Sequence, residues 1–357
     1  MKMPNRVINV GIAGQGRSGW GIHAAWLRKE PSRYRVVAVA DGNEEYRAQA
    51  VRELGCRAYE GPEGLLADPE VELFINATPS HLHVDWTLRA LAAGRHVVCE
   101  KPVAFCAPDV ERMMAAAGKA GRLFAPFQNS RFAPHFQKMQ EVITSGALGR
   151  IVHIRFVLGA FQRRWDWQTV RAKGGGSLNN TGPHPLDQAI ALFGEAVPEV
   201  FCRMDSCNVA GDAEDFCALT LSGKGAPVIE INLSSVQAFP QEPYTVCGTN
   251  GSLAGTTLAL RWKWFDPAGV PLPPLQEGWA PDRGFCKEQL PWREETWSYN
   301  KELAGDIMEG TVRDFYANLY AALTDGTPLI VQPEQVRRQV AVLEECHRQN
   351  PNPKGLR

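Results

Sequence analysis

The chain has 357 residues, a formal net charge of −1 and an apolar fraction of 44%. That length exceeds what one hydrophobic core usually organises and suits two domains. Nothing in the near-neutral balance points to a basic surface for nucleic acid or an anionic membrane, and no apolar run approaches the roughly 18 residues of a membrane span. The N-terminal residues lack the apolar core of a secretion signal. The nine cysteines are scattered, odd in number and without a CxxC pair. These features predict a cytoplasmic protein with reduced, buried thiols, no disulfide framework and no structural metal.

The first 124 residues alternate strand and helix signals. Arg6 to Ile12 is an apolar run ending in glycines, and Arg35 to Ala40 is rich in β-branched residues. Leu73 to Ala77 and His96 to Cys99 are two more short apolar runs. Between them Val84, Leu88 and Leu91 share a helical face, with Gly94 at the expected C-cap. Short, continuously apolar strands separated by helices imply a buried parallel sheet with right-handed crossovers. After Pro126 longer alternating runs appear at 151–159, 215–223 and 227–236, expected as strands of an open, mostly antiparallel sheet. Residues 261–300 are rich in Pro, Trp and Gly and read as strands plus an irregular excursion. Pro333 to Arg348 reads as a closing helix with Val336, Val340 and Leu343 on one face. The expected fold class is α/β: a doubly wound parallel sheet of Rossmann type, then an α/β domain with an open, mostly antiparallel sheet.

Gly14-Gln15-Gly16-Arg17-Ser18-Gly19 follows the first strand and opens a helical stretch. The first glycine permits a tight turn, the second lets backbone approach a pyrophosphate, and the third lets the helix pack on the strand. Free N–H groups at the helix start then face phosphate charge. Asp41 closes the second strand, where a carboxylate accepts hydrogen bonds from ribose hydroxyls and repels a 2′-phosphate. The combination points to NAD rather than NADP. Arg17 has two readings, a phosphate contact or a solvated surface residue.

Glu100-Lys101-Pro102 stands at the carboxyl end of the strand His96 to Cys99, the edge on which ligands bind in open α/β sheets. A lysine in that place, taken alone, is usually solvated. The order of motifs is more specific: GxGxxG, then Ala77-Thr78-Pro79 with His83, then Ala93-Gly94-Arg95-His96-Val97 and Glu100-Lys101-Pro102. It resembles the glucose-fructose oxidoreductase / inositol dehydrogenase / rhizopine-catabolism (Gfo/Idh/MocA) family. The resemblance continues through Asn129, Arg131-Phe132, Ser145-Gly146, Gly174-Gly175-Gly176, Gly182, His184 and Asp187, a little over half of the chain.

The resemblance implies an NAD-binding Rossmann domain over 1–124 and a substrate-binding and oligomerisation domain over 125–357, assembled as a homodimer or homotetramer. It implies hydride transfer between nicotinamide and a secondary alcohol of a sugar, polyol or cyclitol. Lys101 and His184 would then be catalytic and bracket the reacting hydroxyl. Gly14, Gly16, Arg17, Gly19, Asp41, Thr78, Pro79, His83, Glu100 and Lys101 would lie on the cofactor. Arg131, Trp167, Asn180 and Asp187 would lie on the substrate, Asn180 and Asp187 also positioning His184. Arg131 has a second reading, holding the seam between domains, and Trp165 and Trp167 a second reading as core. One departure stands out. The first acid of the family pattern around His184 falls on Asn180, and an Asn can orient an imidazole without favouring its protonated form. His81-Leu82-His83 is an HxH pair, but no third ligand joins it at a recognisable spacing, so no metal is expected. Two rival activities remain on these residues: an NAD-dependent glycoside hydrolase or lyase that oxidises a sugar transiently, and a non-catalytic sugar sensor. Intact Lys101 and His184 speak against the sensor.

Overall fold

The computed structural model describes residues 6–278 and 284–351. Six strands, β1 (Ile8–Ala13), β2 (Tyr34–Ala40), β3 (Arg57–Tyr59), β4 (Leu73–Asn76), β5 (His96–Cys99) and β6 (Phe124–Pro126), form a sheet in the order β3-β2-β1-β4-β5-β6. All neighbours run parallel. Val10, Ile12, Phe74, Ile75, Val97 and Val98 are fully buried between helical layers, which is why these strands read as unbroken apolar runs. Strand β1 pairs with both β2 and β4. Strand order reverses there, so the crevice beyond the carboxyl ends of β1 and β4 is the place for a ligand.

The second sheet comprises β7 (Ile151–Gly159), β8 (Glu199–Asp205), β9 (Phe216–Ser222), β10 (Val228–Ser234), β11 (Tyr244–Gly248), β12 (Gly251–Gly255), β13 (Ala259–Trp264) and β14 (Arg293–Ser298). Its order is β14-β13-β12-β11-β7-β10-β9-β8. Pairing is antiparallel except between β7 and β10, which run parallel. Every second residue of β9 and β10 is buried, the signature of a sheet covered on one face. That face packs against the helices Pro134–Thr144, Pro183–Phe193 and Pro333–Gln349, through Phe136, Met139, Leu186, Ile190 and Leu343.

The two cores share elements in a way the sequence pattern did not indicate. Strand β6 extends the first sheet to Pro126, beyond the expected division at residue 124. The helix Ile307–Asp325, for which no expectation was formed, returns to the first core with Val312, Phe315, Tyr316 and Leu319. The closing helix Pro333–Gln349 serves both, with Val336 and Val340 in the first core and Val342, Leu343 and Cys346 in the second. The expected excursion forms β13 and β14 with irregular chain between them; residues 279–283 lie outside the described residues, as do residues 1–5 at the N-terminus. Among the described residues no cysteine is in a disulfide, Cys202 and Cys217 standing with their sulfurs 3.6 Å apart. No helix among the described residues is long and apolar enough to cross a membrane.

Candidate active site

The glycine turn is built as its spacing demands. Gly14 has φ +88°, and a Cβ there would collide with the Ala77 carbonyl on the neighbouring β4 end. A Cβ on Gly19 would collide with the Gly14 carbonyl, so Gly19 closes the turn rather than facing outward. Gly16 meets nothing within 4 Å and leaves its backbone open to the crevice. At the end of β2, Asp41 is fixed by its own surroundings. Its Oδ2 accepts the Gln15 N–H at 2.7 Å and its Oδ1 the Asn43 N–H at 2.8 Å, while Arg47 donates to its carbonyl at 2.7 Å. Each carboxylate oxygen keeps a lone pair for a ligand.

A cavity of about 520 Å³ runs over this edge. Its lining brings together Gly14, Gly16, Arg17, Asp41, Thr78, Pro79, His83, Glu100, Lys101, Trp167 and Asn180, with Tyr46 beside Asp41. Asp41 ends β2 and Lys101 follows β5, so they flank the switch point from opposite sides. An open backbone at Gly16, a fixed carboxylate at Asp41 and a lysine across the crevice fit a dinucleotide laid over the sheet edge.

Lys101 Nζ donates to the Asn180 carbonyl at 2.7 Å. Burial pushes its pKa below the ordinary lysine value; the Glu100 charge opposes this and Arg17 adds to it. Glu100 is 4% exposed. Burial opposes its charge, but a hydrogen bond from His23 and the Lys101 charge and backbone N–H hold its carboxyl down to about 2. His184 sits in the first turn of the helix Pro183–Phe193 with Nδ1 buried and, among the described residues, unpartnered. Burial, reinforced by Lys101 and opposed by Glu100, pushes its pKa down to about 4. The Lys101 charge therefore acts on His184, whose imidazole is neutral at pH 7.

Several expected residues have other occupations. Arg131 and Asp187 are buried and bonded to each other, Nε to Oδ2 at 2.8 Å and Nη2 to Oδ1 at 2.7 Å. Neither lines the cavity. Buried away from the cavity and paired with each other, the two form a structural pin in this structure rather than the expected substrate contacts. The Asn180 side chain exchanges two 3.2 Å hydrogen bonds with Gln168 instead of reaching His184. His83 borders the cavity, yet Nδ1 faces the Pro102 carbonyl at 2.7 Å and Nε2 the Thr78 carbonyl at 2.9 Å. The Glu100 carboxylate is likewise turned to His23 and to the Lys101 backbone. His83 and Glu100 thus brace the cofactor edge rather than offering it free polar atoms. Trp167 is half-exposed on the cavity wall, and Trp165 is 81% exposed, so the core reading fails for both.

Sequence reasoning missed the clasp around Asn180. Asp166 caps Gln168, with Oδ1 accepting the Gln168 N–H at 3.0 Å, and Arg164 joins Asp166 at 2.6 Å. It also missed Glu214, which is 2% exposed and accepts the Leu178 N–H at 3.0 Å, holding the glycine-rich loop from behind. Burial pushes the Glu214 carboxyl up to about 7. No motif marks these residues, and the contacts that hold the loop, Gln168 to Asn180 and Glu214 to Leu178, join positions 12 and 36 residues apart. Among the described residues, no group of three or more His, Cys, Asp or Glu is placed to hold a metal ion.

The doubly wound sheet, the glycine turn and the acid at the end of β2 define an NAD-binding oxidoreductase. Residues 8–127 match the family described as "Oxidoreductase family, NAD-binding Rossmann fold", and residues 136–254 match "GFO/IDH/MocA C-terminal domain". The chain belongs to the Gfo/Idh/MocA oxidoreductase family. It is 30% identical over 253 residues to a myo-inositol 2-dehydrogenase of Thermotoga maritima, covering 69% of this chain and 74% of that one. It is 26% identical over 253 residues to a 2,7-anhydro-N-acetylneuraminate hydratase of Mediterraneibacter gnavus, covering 68% and 66%. In fold it is similar to the WlbA dehydrogenase of Bordetella pertussis, solved with NADH and UDP-GlcNAcA. The TM-score is 0.78 over 98% of this chain and 97% of that one, at 22% identity.

Proposed function

We propose that the protein transfers a hydride between the secondary alcohol of a sugar, polyol or cyclitol and the nicotinamide of NAD, with Lys101 handling the alcohol proton. The observation that carries this reading is the half-buried lysine on the cavity wall just after β5, its Nζ held by the Asn180 carbonyl and its pKa lowered, with a neutral His184 within reach of its charge. Bound nicotinamide supplies the hydride-accepting chemistry. The chain's own part is to bind, orient and move one proton. Neutral Lys101 Nζ takes the hydroxyl proton as the alcohol is oxidised, and the ammonium returns it in reduction. His184, with a pKa of about 4, is the weaker base and acts as a hydrogen-bond partner to the same oxygen. Asn180 holds Nζ through its carbonyl. Asp41 selects NAD over NADP by accepting ribose hydroxyls and repelling a 2′-phosphate. Kinship with a myo-inositol 2-dehydrogenase supports the substrate class. The uncovered face of the second sheet supports assembly as a homodimer or homotetramer, which light scattering of the purified protein would reveal.

A second reading has a specific observation in its favour. The kinship with a hydratase of an anhydro sugar fits transient oxidation followed by addition or elimination and re-reduction, in which no net NADH appears. One experiment separates the two. The protein is incubated with NAD and a panel of sugars and cyclitols, and both NADH absorbance and sugar products are followed. NADH formed in proportion to ketone supports the dehydrogenase, whereas product without NADH supports the transient oxidation. No conversion of any panel member would remove both.

A further inference from the structure

A chain of buried polar groups from three distant parts of the sequence converges on Lys101. Glu100 Oε2 accepts the Lys101 backbone N–H at 3.0 Å, and Glu100 Oε1 lies 3.2 Å from His23 Nε2. His23 Nδ1 lies 2.7 Å from the Tyr316 hydroxyl, and the Tyr34 hydroxyl donates to the Tyr316 carbonyl at 2.8 Å. His23 is 0% exposed, Glu100 4% and Tyr316 1%. The imidazole is wedged edge-on against Phe127, ring centroids 4.6 Å apart, so its orientation is fixed by packing as well as by hydrogen bonds.

The donors can be assigned from chemistry. The ionised Glu100 carboxylate can only accept, so His23 Nε2 carries a proton, and in that neutral tautomer Nδ1 accepts the Tyr316 hydroxyl, which burial keeps protonated. The imidazole proton is thereby donated to the Glu100 carboxylate. Three polar side chains buried for packing alone would be costly, because apolar residues of similar volume fill such space without desolvation loss. What the chain does accomplish is directional: it ends in a carboxylate at the root of Lys101.

We propose that His23 and Tyr316 are positioning residues for Lys101: they hold the Glu100 carboxylate ionised against the lysine's own backbone and thereby set how readily its ammonium gives up a proton. The groups that face this pair come from every element packed on it. Arg17 and His23 belong to the glycine turn and its helix, Cys99 ends β5, and His83 starts the helix after β4. Tyr316 lies on Ile307–Asp325, and His184 comes from the second domain. Burial and Arg17 both push the lysine towards its neutral form, and Glu100 is the charge that opposes them. Without His23, the buried carboxylate loses its side-chain donor and takes up a proton more readily, and the lysine is released to titrate lower. The enzyme would then keep a base for oxidation at lower pH but lose its proton donor for reduction.

The proposal rests on Lys101 as the proton-handling group, so the test reads the lysine directly, without substrate. Folded protein is acetylated with isotopically labelled acetic anhydride across a pH series, and mass spectrometry of the Lys101 peptide gives its titration midpoint. Glu100→Gln should lower the midpoint by about one to two pH units and His23→Phe by about one. Tyr316→Phe should move it less, in the same direction, while His23→Gln, whose amide still donates, should stay near wild type. In the Glu100→Gln background, His23→Phe should add nothing. An unmoved midpoint in Glu100→Gln or in folded His23→Phe would overturn the proposal. So would an undiminished His23→Phe shift in the Glu100→Gln background. If His23→Phe does not fold, Tyr316→Phe and His23→Gln carry the test, and a shift in His23→Gln as large as in Glu100→Gln counts against it. Should these shifts occur while Lys101→Ala retains full turnover, the positioning chain stands and the catalytic reading of Lys101 fails.

Discussion

Replacing Arg131 by Met tests whether the Arg131–Asp187 pair serves structure or substrate. The two residues are 6% and 1% exposed. Arg131 makes three hydrogen bonds to Asp187, two to the carboxylate at 2.8 and 2.7 Å and one to the carbonyl at 3.2 Å, and a fourth to Gln335 at 3.1 Å. It thereby ties the segment Asn129–Phe132 to the helices Pro183–Phe193 and Pro333–Gln349. Arg131→Met strands a buried carboxylate, at a cost of about 3–5 kcal/mol, a large part of the ~5–15 kcal/mol by which a domain is stable. Burial already raises the Asp187 pKa and Arg131 opposes it, so in the variant it climbs further. A carboxyl whose folded pKa exceeds its unfolded value favours the folded state when protonated. The deficit is therefore largest at neutral pH and shrinks as pH falls through the folded pKa. Guanidinium unfolding at pH 7 and pH 5 measures this, and Arg131→Met/Asp187→Leu should regain most of the loss. A variant within about 1 kcal/mol of wild type, but with a raised KM, would refute the structural assignment and restore the pair to the substrate.

Lys101→Ala should lower kcat about 10²–10⁴-fold while NAD affinity, read by calorimetry, stays near wild type; near-normal turnover would remove the lysine from the mechanism. Asp41→Ala should weaken NAD about 10–100-fold through lost charged hydrogen bonds and narrow the preference over NADP, and a wild type that already favours NADP would contradict the role of Asp41. His135 is 4% exposed against Tyr244, with both ring nitrogens unpartnered among the described residues, and burial pushes its pKa down to about 4. Because that folded value lies below the unfolded 6.5, the unfolded chain binds the proton first, and stability falls as pH drops from 6.5 towards 4. The loss is about 3 kcal/mol at most. His135→Phe should flatten this part of the pH–stability curve, and an unchanged slope would exclude His135 as its cause.

The parts of the fold that sequence disclosed were those whose burial is uniform along a local stretch. Strands β1, β2, β4 and β5 are covered on both faces, and β7, β9 and β10 on one, so their patterns are legible without neighbours. The helix Ile307–Asp325 carries the same local signal, with Thr311, Val312, Phe315, Tyr316 and Leu319 at helical spacing; what that spacing cannot encode is that this face joins the first core, against Phe127 and Phe132, rather than the second. The parallel pairing of β7 with β10 is a matter of topology that alternation cannot encode. In the site, Gly14, Gly16, Gly19, Asp41 and Lys101 were legible because backbone geometry and strand ends constrain them locally. Arg131, Asp187 and Asn180 were assigned to substrate from motif position alone. Their partners, each other and Gln168, lie 56 and 12 residues away, and only the folded chain reveals that these groups are already satisfied. His23 carries no motif either, and its partner Glu100 lies 77 residues away.

The central claim is that a carbon-bound hydrogen of a sugar or cyclitol passes to nicotinamide at the Lys101 site. The direct measurement is a single-turnover incubation of excess protein with NAD and panel substrates deuterated at their secondary carbinol carbons, followed by mass spectrometry of the recovered cofactor. The account predicts deuterium on the reduced nicotinamide with wild type and a slowing of at least about 10²-fold in its appearance with Lys101→Ala. Substrate consumed while the cofactor remains unlabelled, or label arriving as fast in the variant as in wild type, would contradict it.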